Sequence, residues 1–226
     1  MECRSLLFCI ALTSWLGACV AQSVHLDKSE HPPSPQGLGP FQSLDEVEEA
    51  LCPAIMKMPG AQNGEAGIEY CGFVYHTPQG WFSTALASLP YQRPGDVRRC
   101  KLPDGVTHTQ VPTALIVTVG DFHSHPWPFT EFSEARWIQG RLRGDLMPTP
   151  GRATRLSING AVYDYRRILF STKCDHYRYF PYTQEIFKHD HMAMRWDKIA
   201  NVELTVDKQT GEIIRGSAKL LPGKDW

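Results

Sequence analysis

The sequence predicts a mixed α+β or α/β domain: a single mixed sheet with flanking helices. Three observations carry this expectation. Segments with the apolar spacing of a helix are interleaved with segments of period two. The run Thr113–Val119 is almost continuously apolar, as expected of a strand covered on both faces. Glycine-containing turn clusters separate paired strand-like runs at three places along the chain.

The first residues are an address. Arg4 precedes an apolar run from Leu6 to Gly17, shorter than the ~20 residues of a membrane span and suited to a secretory signal. Leu16-Gly17-Ala18-Cys19 is similar to the bacterial lipoprotein processing box. That resemblance implies a signal peptide over 1–18, lipidation of Cys19 and a lipid anchor in a membrane. Ordinary cleavage after Ala21 is the alternative. In both cases the chain is exported, as a periplasmic or outer-membrane-anchored protein facing an oxidising compartment.

Export gives the seven cysteines a meaning. Cys3 and Cys9 leave with the signal, and Cys19 carries lipid. Cys52, Cys71, Cys100 and Cys174 remain, an even number that predicts two disulfides with three open pairings; four buried thiols are the other reading. Residues 19–40, rich in Pro, Ser and Gly, read as an extended tether. The folded unit is expected over 41–226.

Within that unit the first element is a helix. Ser43 and Glu46 form a capping-box pattern, Leu44, Val47, Leu51, Ala54 and Ile55 make an apolar face, and Pro53 is expected to kink or end it. Ile68–His76 and Trp81–Leu86 around Thr77-Pro78-Gln79-Gly80 predict a hairpin. Ser133–Arg143 reads as a second helix, with Ser133 near its N-cap and Gly144 as its stop. Arg155–Asn159 and Ala161–Phe170 predict a strand pair about Gly160. Val202–Val206 and Glu212–Leu221 predict a C-terminal β extension.

Charge excludes one class of function. The formal net charge is −1, so no positive excess calls for a nucleic-acid partner.

The chemistry is concentrated in Asp121-Phe122-His123-Ser124-His125-Pro126. If the strand continues here, alternation puts His123 and His125 on one side. Two imidazoles at the open end of a buried strand are well placed to share a zinc ion. The stretch resembles the JAB/MPN family of JAMM-type zinc metalloproteases, most closely the JAMM-like domains attached to bacterial polymorphic toxins. His123-Ser124-His125-Pro126 matches the family's histidine motif, Ser133 falls at its serine position, and Glu69 with Gly72 fits its upstream Glu and Gly. The similarity runs from Glu69 to Asn159.

The resemblance implies a JAMM/cytidine-deaminase-like fold and hydrolysis of peptide, isopeptide or amide bonds. His123 and His125 would hold zinc, Glu69 would act as general base, and Ser133 would steady the oxyanion. The substrate would be a peptide or protein in the cell envelope. One position departs: where the family has its Asp ligand, three residues after Ser133, this chain has Arg136. Asp121 is the nearest candidate third ligand, since alternation places it on the face of the histidines; Asp145 and Glu134 are others. The competing reading is a degenerate, zinc-free binding or scaffold lipoprotein, in which Arg136 replaces the metal's charge. A third is an envelope protein associated with toxin systems.

Weaker patterns remain. His189-Asp190-His191 reads as a solvated loop or helix face rather than a second metal site. Trp127, Phe129 and Phe132 read as a core cap or an aromatic wall for substrate. Tyr177–Tyr182 mixes basic and aromatic residues, fitting either a glycan or peptide surface or a partly buried strand.

Overall fold

Ser43 Oγ accepts a hydrogen bond from the Glu46 N–H (3.2 Å), and Glu46 Oε2 accepts one from the Gln42 N–H (2.9 Å). Helix α1 (Leu44–Met56) therefore starts where the capping pattern puts it. Leu44, Val47, Leu51 and Ile55 are buried beneath it, and the helix runs through Pro53 to Met56. The structure is a computed structural model describing residues 37–89, 100–128, 130–138, 141–147 and 155–226. The expected signal peptide, Cys19, most of the tether and Phe129 lie outside the described residues. The tether's last residues lie along the domain: Leu38 donates its N–H to Ser83 Oγ and accepts one from the Ser83 N–H.

Among the described residues twelve strands follow in chain order: β1 (Cys71–Thr77), β2 (Gly80–Ser83), β3 (Val117–Ser124), β4 (Ala135–Ile138), β5 (Arg141–Arg143), β6 (Arg155–Ile158), β7 (Ala161–Asp164), β8 (Arg166–Phe170), β9 (His176–Phe180), β10 (Glu185–Asp190), β11 (Arg195–Val206) and β12 (Ile213–Leu220). Ten form one sheet in the order β2-β1-β3-β8-β9-β10-β11-β12-β4-β5, and β6 and β7 make a separate hairpin. The β3–β8 pair is parallel and the other described pairs are antiparallel, so the sheet is mixed. The expected set of flanking helices reduces to α1 and two 3₁₀ turns among the described residues.

The largest correction concerns Ser133–Arg143. Instead of a helix, it contains the hairpin β4–β5. Ala135 and Arg136 pair with Gly216 and Arg215 of β12, and that distant edge gives the backbone partners which a helix would have supplied locally. Gly216 eases the approach, since a Cβ there would come within 3.3 Å of the Ala135 Cβ and 2.8 Å of the Leu146 carbonyl oxygen. The strand expected over Ala161–Phe170 is broken at Tyr165 into β7 and β8. The apolar run at Thr113 begins as a 3₁₀ turn, with β3 starting at Val117.

Among the described residues two disulfides are present, Cys52–Cys174 and Cys71–Cys100. The first ties α1 to the turn between β8 and β9. The second fixes the chain at residue 100 against β1.

Strand alternation separates two cores. Along β8, Ile168 and Phe170 pack with α1, Val119 and Phe122. Leu169 between them faces Phe132, Leu146, Tyr177 and Val202. His123 is the β3 partner of Leu169, so it lies on the face away from α1. Asp145 follows β5, seven places from β3 in the strand order, yet reaches His123. The twisted sheet therefore curls until its far end covers β3.

Candidate metal centre

Local rules bring three groups together. Alternation along β3 puts Asp121 and His123 on the face opposite Phe122, and His125 follows one residue past the strand end. The β1–β3 register pairs Cys71 with His123; two residues further, Glu69 comes opposite His125. Ser124 fastens this edge, donating its N–H to the Tyr70 carbonyl (2.9 Å) while its Oγ accepts the Tyr70 N–H (3.1 Å). Glu69 Oε1 lies 3.9 Å from His125 Nε2.

The remaining carboxylate arrives from far along the chain. Ser133 donates its N–H to Asp145 Oδ2 (2.7 Å), and the Asp145 N–H is shared between Ser133 Oγ (3.0 Å) and the Ser133 carbonyl (3.1 Å). Gly144 allows this closure. Its φ is +119°, and a Cβ there would sit 2.0 Å from the Glu134 carbonyl oxygen. Thus held, Asp145 Oδ1 lies 3.3 Å from His123 Nε2 and Oδ2 lies 3.6 Å from His125 Nε2. Arg167 Nη1 braces the same residue through the Asp145 carbonyl (2.8 Å).

His123, His125 and Asp145 can hold a metal ion: one donor atom from each lies within 4.8 Å of the others. The donor chemistry fits. His123 Nε2 is buried, and the polar group beside it is Asp145 Oδ1 at 3.3 Å, not in hydrogen-bond alignment, so the nitrogen and the carboxylate oxygen face one another as two ligands of one ion would. The Nδ1 of His125 is engaged by Thr130, which orients the ring and leaves Nε2 toward the cluster. No family model, curated protein or solved structure matches this chain.

Electrostatics divides the two histidines. Burial, reinforced by the charge of His123, pushes His125 down to about 4, so it is neutral and able to ligate at neutral pH. For His123, burial also opposes the charge, but Asp145, with Glu69 and Asp121 beyond it, holds its imidazole above the ordinary range. Burial likewise works against the Asp145 carboxylate, yet the two imidazoles and the Ser133 N–H keep it well below the ordinary carboxylate range.

The other expected site residues are distributed as follows. Asp121 stands apart from the three-residue group: its Oδ2 accepts the Tyr165 hydroxyl (2.7 Å) and lies 3.7 Å from Arg167 Nε. Glu134 is paired with Arg215 (2.8 and 2.9 Å). Arg136 sits on β4, not one helical turn from Ser133. Thr130, Arg143 and Arg167 are additions that no sequence spacing singled out.

His189 is no solvated loop residue. It lies on β10, buried, with its ring 4.9 Å from that of Trp196. His176 contacts Glu48 Oε2 at 3.2 Å, and His191 Nε2 lies 3.0 Å from the Cys174 carbonyl. Tyr177 and Tyr179 are buried on β9, and Phe132 is buried in the core. Trp127 stands edge-on to His125 at 6.2 Å between ring centroids.

Proposed function

We propose that this chain is a zinc-dependent hydrolase of peptide, isopeptide or amide bonds, of JAMM type, carried on an exported lipoprotein and acting on peptide or protein substrates in the cell envelope. The observation that carries the reading is the convergence of His123, His125 and Asp145 on one point with Glu69 at its edge. Two nitrogens and one carboxylate oxygen, with room for water or substrate, is the donor set of catalytic zinc sites. Asp145 supports the metal reading over the zinc-free scaffold one, because it brings a carboxylate to the histidines although Arg136 stands three residues after Ser133.

A zinc ion at these residues would polarise the substrate carbonyl and acidify water. Glu69, buried and within reach of the cluster, takes a proton from the attacking water. It returns that proton to the amine nitrogen as the carbon–nitrogen bond breaks. Ser133 Oγ accepts the Asp145 N–H, so its own hydroxyl hydrogen is available to the oxygen on which negative charge develops.

The test is zinc content followed by turnover. The exported protein should take up about one zinc per chain, and the His123→Ala, His125→Ala double variant should take up none. Wild-type protein that stays zinc-free after incubation with the metal would overturn the reading.

A further inference from the structure

A cavity of about 540 Å³ opens beside the cluster, and its wall carries Arg136, Arg143 and Arg167 as well as Glu69, His123 and Asp145. We infer that Arg136 and Arg143 form a carboxylate-binding subsite there, so the substrate is a peptide bearing a carboxylate close to the bond that is cut. This deepens the hydrolase reading and rests on it for the position of that bond.

The argument starts from strand register. Arg143 of β5 lies directly opposite Arg136 of β4, and Arg136 lies directly opposite Arg215 of β12. Directly opposed residues share a face of the sheet, and like charges so placed repel. Three guanidiniums thus form one row. Among the described residues one carboxylate pairs with the row, Glu134, and it is taken by Arg215. Two positive charges are left over at the cavity end of the row.

The second observation is unmet hydrogen bonding. Arg143 Nε is buried and has no hydrogen-bond partner. A planar guanidinium with an unmet Nε donor matches a carboxylate, which such a fork can take in two-point contact. The position is also productive, because Arg143 precedes the metal-ligating Asp145 by two residues and lines the same cavity. A singly charged carboxylate suits the site better than a phosphate, since Glu69 and Asp121 also line the cavity. The carboxylate can be a chain terminus or an acidic side chain, and these define an exopeptidase and an acid-selective endopeptidase respectively.

The test reads binding in chelator-treated protein, so that it does not depend on zinc or turnover. The probes are N-acetyl trialanine with a free carboxylate, its C-terminal amide, and that amide with glutamate at the middle position. Calorimetry should find one acidic peptide bound roughly ten-fold tighter than the neutral amide. The terminal acid winning identifies a chain end, and the glutamate peptide winning identifies a side chain. The preference should vanish in Arg143→Gln and in Arg136→Gln, the latter at an exposed position that folding tolerates, and Arg143→Lys should keep part of it. Equal binding of acid and amide, a preference that survives both glutamine variants, or displacement of the peptide by inorganic phosphate more readily than by acetate would overturn the subsite. Zinc uptake measured on the same preparation reports separately on the hydrolase reading.

Discussion

Ser133 and Asp145 lie twelve residues apart in the chain and hold each other through both backbone N–H groups, one onto the Asp145 carboxylate and one onto the Ser133 hydroxyl. The hairpin β4–β5 fills the interval. Asp145, just beyond that hairpin, is the carboxylate brought beside His123 and His125, with Gly144 permitting the chain to close.

If Asp145 is the ligand, charge removal should discriminate between the two aspartates near the histidines. Asp145→Asn should weaken zinc binding by at least about 100-fold, while Asp121→Asn, hydrogen-bonded to Tyr165, should stay within about three-fold. Competition titration against a chromophoric chelator measures both. Equal losses would place the third ligand elsewhere.

Gly144→Ala changes no ligand, yet it should act on the site. A side chain at φ +119° that also meets the Glu134 carbonyl strains the closure by about 1–3 kcal/mol. Zinc affinity should fall about ten-fold or more as the Asp145 carboxylate loses its position. Wild-type affinity in this variant would show that the clasp does not position the carboxylate.

Glu69→Gln should separate binding from chemistry. Zinc content should match wild type, while kcat falls by a factor of about 10² to 10⁴ for loss of the general base. A variant retaining full turnover would assign the base to another group.

The domain should carry a specific acid sensitivity. Glu48 of α1 is fully buried, with Arg178 Nε at 2.8 Å, His176 Nε2 at 3.2 Å and Arg166 Nη1 at 3.5 Å. Burial opposes its charge, but Arg178, His176 and Arg166 outweigh that and hold its carboxyl at about 2 rather than 4.5. A depressed carboxyl contributes its stability above the unfolded value, so this contribution is complete above pH 4.5 and is lost as pH falls toward 2. The loss amounts to about 3 kcal/mol. In Glu48→Gln, urea denaturation should show roughly 3–5 kcal/mol lower stability at neutral pH and a flatter profile across that acid range.

Severing Cys52–Cys174, which closes a loop of 122 residues, should cost about 2–5 kcal/mol. Denaturation of the double Cys→Ala variant measures it. An unchanged midpoint would mean that the link between α1 and the β8–β9 turn is not what restrains the unfolded chain.

These residues also mark what a linear reading reaches. The capping residues Ser43 and Glu46, and the turns at Gly80, Gly160 and Gly211, declare themselves because their physics is local. His123 and His125 are legible for the same reason, since strand alternation aligns them, whereas Glu69 is reached only through the resemblance to the JAMM motif and its place is set by the β1–β3 register. Ser133–Arg143 misleads because Ala135, Ile138 and Leu142 fit helical spacing, while the deciding partner is β12, more than seventy residues later. Glu48 defeats pattern reading altogether: it looks like a solvent-facing helix residue, and Arg178, its counter-ion, is 130 positions away.

The curl of the sheet has a thermodynamic consequence. Two donors of the proposed centre sit at the end of β3 and the third just beyond β5, strands that no hydrogen-bond ladder joins directly. An ion bound by all three would be a cross-link between β3 and the far end of the same sheet, favouring the closed form over any partly opened one. Chelation should then do more than silence chemistry: amide hydrogen exchange in β4, β5 and the adjoining edge of β12 should quicken, while α1 and β1 stay protected. The same three side chains would serve as reagent holder and as hasp.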